Sequence, residues 1–437
     1  MDRCNPRRAL ASWTLFALVN LATPAISYAD GGSPYLFGDW NGERARLADE
    51  GISFNFGYTG EAAHNFSSGT KQLTRYADQW TFGTTVDLDK LWGWKGGTFQ
   101  FVMTDRDGRN LGADANIGSY QLLQEVYGRG QTWHLTIFAL DQKFFDGKLE
   151  WRIGRLPVGE DFDSFSCDFE NLTFCGAPAG NLVGDYWVNW PASQWATWFK
   201  WNTTAQTYVK LGAYQINPNY VDNDWAEANG WKLNFPGGTT GALIPLEFGW
   251  TPSVHGLTGS YKIGGWYNNA GGADLYYNVD REPLALDDGK PLQDSSRHGA
   301  YLAFQQPLSG DADGHGFSVF ANATMADSRT SPTDRQFALG AEYKGVFNRP
   351  DDMIGLALGA THGSSRYADY ERLYSQVHPD SPLPIQDGYE YIAELFYNWS
   401  PIKAFSLRPN LQYVLHPGGT TENKNAFVLG LKTVIAF

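Results

Sequence analysis

The closing stretch Asn425-Ala426-Phe427-Val428-Leu429-Gly430-Leu431-Lys432-Thr433-Val434-Ile435-Ala436-Phe437 decides the fold. Phe427, Leu429, Leu431, Thr433, Ile435 and Phe437 alternate with Ala426, Val428, Gly430, Lys432, Val434 and Ala436. A period of two puts the first set on one oily face and Lys432 with the small residues on the other. A strand of about ten residues with this pattern suits a wall that has lipid outside and water inside.

Toward the N-terminus the same alternation recurs at 52–63, 78–89, 97–106, 132–141, 148–155, 195–203, 205–216, 242–251, 259–269, 297–306, 315–326, 335–345, 353–362, 388–399 and 404–415. With 425–437 these make sixteen segments. The gaps between them alternate. Those at 64–77, 107–131, 156–194, 217–241, 270–296, 327–334, 363–387 and 416–424 are mostly long, whereas those at 90–96, 142–147, 204, 252–258, 307–314, 346–352 and 400–403 are all eight residues or fewer. An even-stranded barrel with both termini in the periplasm has this asymmetry, with short periplasmic turns and long extracellular loops. A soluble β-sandwich does not. No stretch after Asp30 is long and apolar enough for a membrane-spanning helix, so any span must be made of strands. The expected fold is therefore all-β: a transmembrane antiparallel β-barrel of 16 strands. Trp92 and Trp94, Trp198 and Trp201, Trp250, and Tyr397 with Trp399 fall near segment ends, as interfacial aromatic girdles require.

Composition agrees. Among 437 residues, glycine (49), phenylalanine (27), tyrosine (23) and tryptophan (17) are plentiful and methionine (4) is scarce, a balance that favours strands and turns. A formal charge of −14 without basic runs argues against nucleic acid as a partner.

The N-terminus reads as an address. Arg3, Arg7 and Arg8 precede an apolar region, Thr14 to Ile26, and Ser27-Tyr28-Ala29 supplies small residues for cleavage. Residues 1–29 are expected to be removed, 30–51 to form a periplasmic segment with a short helix, and 52–437 to form the barrel. In that helix Asp39 can act as cap, Leu47 and Ala48 continue it and Gly51 ends it. Cleavage removes Cys4 and leaves Cys167 and Cys175, an even pair in an oxidising compartment, for which a disulfide is expected. Without a second pair or a nearby histidine they make a poor zinc site.

The alternation also indicates the lumen wall. In the third segment Phe99, Phe101 and Met103 suit lipid and turn Gln100, Thr104 and Arg106 inward; in the fifth, Leu149, Trp151 and Ile153 turn Glu150 and Arg152 inward. Lys210, Glu247, Lys262, Glu342, Glu390, Glu394, Arg408, Asn410, Gln412 and Lys432 fall on polar faces too, which any water-filled barrel would have. The longest gap, 156–194, is expected to fold into the channel and narrow it, stiffened by the cysteine pair. Arg106, Arg152 and Arg155 with Glu150 and Glu160 are expected to line the narrowest point, and Trp187 or Trp190 to offer a stacking face. Arginine can donate to two neighbouring hydroxyls and a carboxylate can accept from two, so such a wall suits a neutral polyhydroxy solute.

The segment from Gly38 through Asp39-Trp40-Asn41-Gly42-Glu43-Arg44 to Gly51-Ile52 resembles the opening signature of the carbohydrate-selective porins of the OprB type. Glu394, Tyr397, Pro409, Gln412 and Tyr413, followed by His416-Pro417-Gly418-Gly419, resemble the same family's closing pattern. Phe437 resembles the assembly signal that outer-membrane barrels present to their assembly machinery. The resemblance frames the chain from Gly38 onward and implies a sixteen-stranded barrel in outer-membrane lipid that passes glucose and similar sugars, with no cofactor. The sequence is compatible with a lone barrel and with a homotrimer.

Other readings make different demands. A general or anion-selective porin shares the barrel but has no sugar site. An enzyme barrel needs a nucleophile beside a histidine, yet His64, His134, His255, His298, His315, His362 and His416 are scattered and no nucleophile elbow or zinc helix accompanies them. A secreted lectin-like β protein would be soluble without detergent.

Overall fold

A computed structural model describes residues 32–287, 289–311 and 315–437. The expected signal peptide lies outside the described residues.

Sixteen antiparallel strands close into a single barrel, each paired with its neighbours in chain order. They are β1 Ile52–Asn65, β2 Thr74–Asp87, β3 Gly97–Gly108, β4 Trp133–Phe144, β5 Leu149–Leu156, β6 Gln194–Asn202, β7 Thr207–Ile216 and β8 Gly241–Trp250, followed by β9 Ser260–Asn268, β10 Arg297–Pro307, β11 Gly316–Ala326, β12 Thr333–Lys344, β13 Met353–Gly363, β14 Tyr389–Ile402, β15 Phe405–Leu415 and β16 Ala426–Ala436. β16 returns to β1, with Gly57 opposite Ala436 and Asn65 opposite Val428, so the barrel sheet has no free edge. Every segment expected from the alternation coincides with a strand. The widest departure is β2, which begins at Thr74 rather than 78 because Thr74, Arg75 and Tyr76 continue the ladder against His64, Ala63 and Ala62. That stretch carries polar residues on both faces, so the apolar rhythm ends before the hydrogen bonds do.

Along the strands the outward positions are apolar and open while their neighbours are buried: Leu211, Leu246, Leu302, Leu356 and Leu429 are exposed, and Glu247, Tyr301, Ala357 and Val428 are buried. A water-soluble protein does not leave so continuous an apolar belt uncovered. Trp92, Trp94, Trp201, Trp250 and Trp399 stand exposed on this outer surface, as a girdle does. Trp198 does not: it points inward and is buried, with the Lys210 ammonium 5.4 Å from its ring centroid.

The short helix α1, Glu43–Asp49, follows a single 3-10 turn and begins after Gly42 rather than at Asp39. Asp39 still serves the helix end, because its Oδ1 accepts the Ala45 N–H at 3.0 Å. Gly51, at φ +100°, turns the chain into β1 where a Cβ would meet the Asp87 carbonyl oxygen at 2.9 Å. From α1 the buried Arg44 donates to the carbonyls of Phe437 (2.8 Å) and Phe54 (2.7 Å), and the Leu36 N–H donates to the Ala436 carbonyl. The N-terminal segment thus clasps the seam between the first and last strands.

Chain fills part of the barrel interior. Leu156, Val158, Phe162, Val183, Tyr186 and Trp187 form one apolar cluster with inward Trp198, Tyr214, Trp266 and Tyr301. Leu111, Ile117, Leu123, Phe169 and Phe174 form another with Phe320, Phe396 and Val414. Two connections therefore enter the barrel: 157–193, between β5 and β6, and 109–132, between β3 and β4.

Candidate functional site

Inward-facing glutamates hold both entering loops by their backbone. Glu394 accepts the N–H groups of Glu170 and Asn171, each at 2.8 Å. Glu390 accepts from Tyr120 (2.7 Å), Gln121 (3.4 Å) and Gly418 (2.9 Å), Glu61 from Val126 (3.1 Å), and Glu247 from Asp163 (3.1 Å). Carboxylates make the strongest acceptors for otherwise unsatisfied loop N–H groups in a water-poor interior. Side chains add to this: Arg408 pairs with Asp168 at 3.1 Å, Asn410 donates to Glu170 at 2.6 Å and Asn171 donates to Gln412 at 3.0 Å. These polar wall positions are therefore largely committed to loop attachment rather than open to the lumen.

Between the loops and the wall lies a cavity of about 730 Å³. Of the residues expected at the narrowest point, Arg106, Glu160 and Trp190 line it, as do both cysteines, which are joined as Cys167–Cys175. Arg106 is 5% exposed and nearly used up: Nε donates to Gln79 Oε1 at 2.8 Å, Nη1 to the carbonyls of Glu125 and Tyr127 at 3.3 Å, and Nη2 stands 3.7 Å from the Glu125 carboxylate. Trp190 donates its indole N–H to the same Gln79 oxygen at 2.9 Å. Glu160 has no ion-pair partner among the described residues. Its side chain is exposed, yet protein crowds the carboxyl closely and Asp161 adjoins it, which pushes the acid up to about 7.

The other expected residues lie elsewhere. Trp187 is 0% exposed, edge-on to Trp266 at 5.2 Å and to Tyr301 at 6.2 Å, so it is a core residue with no free face to stack on a solute. Arg155 is buried, donating to the Ser193 carbonyl at 2.9 Å beneath the Tyr220 ring, and does not line the cavity. Arg152 is held by Asp141 and Asp161, both at 3.2 Å, and by Gln100 at 2.5 Å. Glu150 sits beside the short turn at Gly147, paired with Lys200 at 3.3 Å and Asn202 at 2.8 Å. Alternation assigns a residue to the inner wall correctly; it does not give its height along the barrel or the partner that meets it there.

Several cavity residues escape the sequence reading, Gln79 of β2 among them. Glu125 and Arg129 belong to the loop at 109–132, which sequence spacing treats as an ordinary external connection. A signal was present: Leu111, Ile117, Leu123 and Val126 are too apolar for an exposed loop, and all are buried. Arg129 donates Nη2 to the Gly184 carbonyl at 3.0 Å and meets no carboxylate at ion-pair distance among the described residues. Burial, with Arg106 nearby, lowers its guanidinium to about 10, still charged at neutral pH. Lys432 closes another side, 2.9 Å from Glu125 and 3.1 Å from Glu61. The cavity thus presents guanidinium donors, a carboxylate acceptor and an indole to whatever passes.

The sequence model of the carbohydrate-selective porin family, OprB, matches residues 71–437. The chain is 41% identical to Porin B of Pseudomonas aeruginosa over 445 residues, covering 97% of this chain and 96% of that protein. It is 32% identical to the putative porin QuiX of Acinetobacter baylyi over 429 residues, covering 92% and 93%. The high-pH structure of Pseudomonas putida OprB superposes with a TM-score of 0.89 at 40% identity, covering 93% of this chain and 99% of that one.

Proposed function

The chain belongs to the OprB family of carbohydrate-selective porins, and from that membership we propose that its selectivity is set where the two entering loops meet the wall, at Arg106, Glu125, Arg129, Glu160 and Trp190. It is an outer-membrane porin for small carbohydrates, and its relatives are channels rather than enzymes. The observation that carries the proposal is the sharing of one cavity by three guanidiniums, two carboxyl groups and an indole. Arg106 Nη2 and the remaining donors of Arg129 replace water on sugar hydroxyl oxygens, Glu125 accepts hydrogen bonds from hydroxyls, and Trp190 covers the C–H face of the ring. Each group substitutes for hydration that the solute loses on entering a narrow pore.

The same reading has residues 1–29 removed on export, 30–51 on the periplasmic side with the short turns, and Phe437 recognised by the assembly machinery. A homotrimer would cover part of the lipid-facing belt. The test is single-channel recording in planar bilayers while glucose is added, with a zwitterion of similar size as control. Dose-dependent block by glucose alone is expected. An anion-selective pore, the reading favoured by the excess of Arg106, Arg129, Arg408 and Lys432 over carboxylates lining the cavity, predicts strong chloride preference and no glucose block.

A further inference from the structure

We infer that Gln79 is a positioning residue for sugar passage, fixing Arg106 and Trp190 relative to one another through a single oxygen. The inference rests on the reading that this cavity is the sugar constriction. Gln79 faces inward from β2 and stands directly opposite Arg106 of β3 in the ladder. Its Oε1 accepts from Arg106 Nε at 2.8 Å and from Trp190 Nε1 at 2.9 Å. An amide oxygen has two lone pairs, and these two donors fill them. The amide orientation is dictated by its neighbours, since the reverse would aim an NH2 group at two N–H donors, whereas in this orientation Nε2 can donate to Thr81 Oγ1 at 3.4 Å.

The consequence concerns what remains free. With Nε given to Gln79 and Nη1 to two loop carbonyls, Arg106 has only Nη2 to offer a solute, in one fixed direction and beside the Glu125 carboxylate 3.7 Å away. Trp190 is carried by the 157–193 loop, yet its indole edge is tied to the barrel wall through Gln79. Neither Arg106 Nε nor Trp190 Nε1 has a second acceptor among the described residues. A sugar must satisfy a polar edge and an apolar face together, so a fixed angle between guanidinium and ring lowers the ordering cost of binding. Without the Gln79 oxygen both groups are free to turn and that advantage is lost.

The test records glucose block of single channels for wild type, Gln79→Leu, Gln79→Glu and Trp190→Phe, with retained heat-modifiable mobility on gels as the check of folding. Leucine removes the acceptor at similar volume; glutamate keeps an acceptor for both donors; phenylalanine keeps the ring face and removes only its N–H. Gln79→Leu is expected to raise the glucose dissociation constant about tenfold, mainly through a faster off-rate, which is the scale of one hydrogen bond to a charged group. Gln79→Glu should stay within about threefold of wild type, and Trp190→Phe should lose about threefold. Block within about twofold of wild type in Gln79→Leu, or in Trp190→Phe should the leucine variant not fold, overturns the inference. So does a folded Gln79→Glu that is as impaired as the leucine variant, because shape rather than the acceptor would then decide. A wild-type pore that glucose does not block removes the underlying sugar reading itself.

Discussion

Replacing Glu394 by glutamine tests whether the wall carboxylates hold the constriction in place. Both oxygens of Glu394 accept loop N–H groups at 2.8 Å, from Glu170 and Asn171. An amide keeps one acceptor and turns its NH2 toward the other N–H, so one charge-assisted bond is lost and one buried donor is left without an acceptor. A hydrogen bond to a charged group contributes about 1.5–3 kcal/mol. Taking a loss of roughly 3 kcal/mol, the ratio of docked to released loop falls by about two orders of magnitude. Barrel assembly should survive, because β14 keeps its ladder to β13 and β15. Arg408, Asn410 and Gln412 also retain their grip on the same loop segment. The expected Glu394→Gln phenotype is normal heat-modifiable mobility, noisier and larger single-channel currents, and glucose block weakened about tenfold or more. Wild-type conductance, noise and block in that variant would refute the idea that glutamate staples position the loop.

The Glu160 acid, raised from an ordinary 4.5 to about 7 mainly by the protein that crowds its accessible carboxyl, with Asp161 adding to this, is mostly neutral below pH 7 and mostly anionic above it. Cation preference should therefore climb between pH 6 and pH 8 in wild type and stay flat in Glu160→Gln, as reversal potentials in a salt gradient will show. The linkage sign is that of a raised acid: its native pKa exceeds the unfolded one, so the loop conformation is favoured at low pH and loses that contribution as pH rises from about 4.5 through about 7. Arg44→Ala removes two bonds from a buried guanidinium to the seam, at Phe437 and Phe54. It should lower seam stability by about 2–4 kcal/mol, read as a downward shift in the temperature at which the folded gel band is lost, with sugar block unchanged. The two tryptophans once equivalent on paper should separate. Trp190→Ala should weaken glucose block about three- to tenfold with a smaller loss of loop packing, whereas Trp187→Ala should cost about 3–5 kcal/mol of loop packing and raise current noise.

Sequence gave access to the wall far more readily than to the site. Leu429 and Lys432 differ in environment because a strand's period is two and the two faces meet lipid and interior, so a local pattern suffices. The β2 extension at Thr74 and the inward turn of Trp198 mark where that pattern fails, one above the apolar belt and the other where an aromatic packs inside on a loop. The site depends on something no local rhythm encodes: which loop enters, and which wall residue meets it. Arg152 and Arg106 read alike in sequence, yet Asp141 and Asp161 hold the first away from the cavity, while the second lines it beside Glu125. Arg129 and Glu125 required recognising that Leu123 and Val126 do not belong in an exposed loop. Glu390 and Glu394 looked like ordinary polar lining and are buried anchors.

The most direct test of the central claim is diffraction from crystals soaked with a selenium-substituted monosaccharide, locating the sugar by its anomalous signal. A peak inside the cavity, within hydrogen-bond reach of Arg106, Glu125 and Arg129 and against the face of Trp190, is the predicted result. A peak at either mouth of the barrel, with the cavity empty, would contradict it.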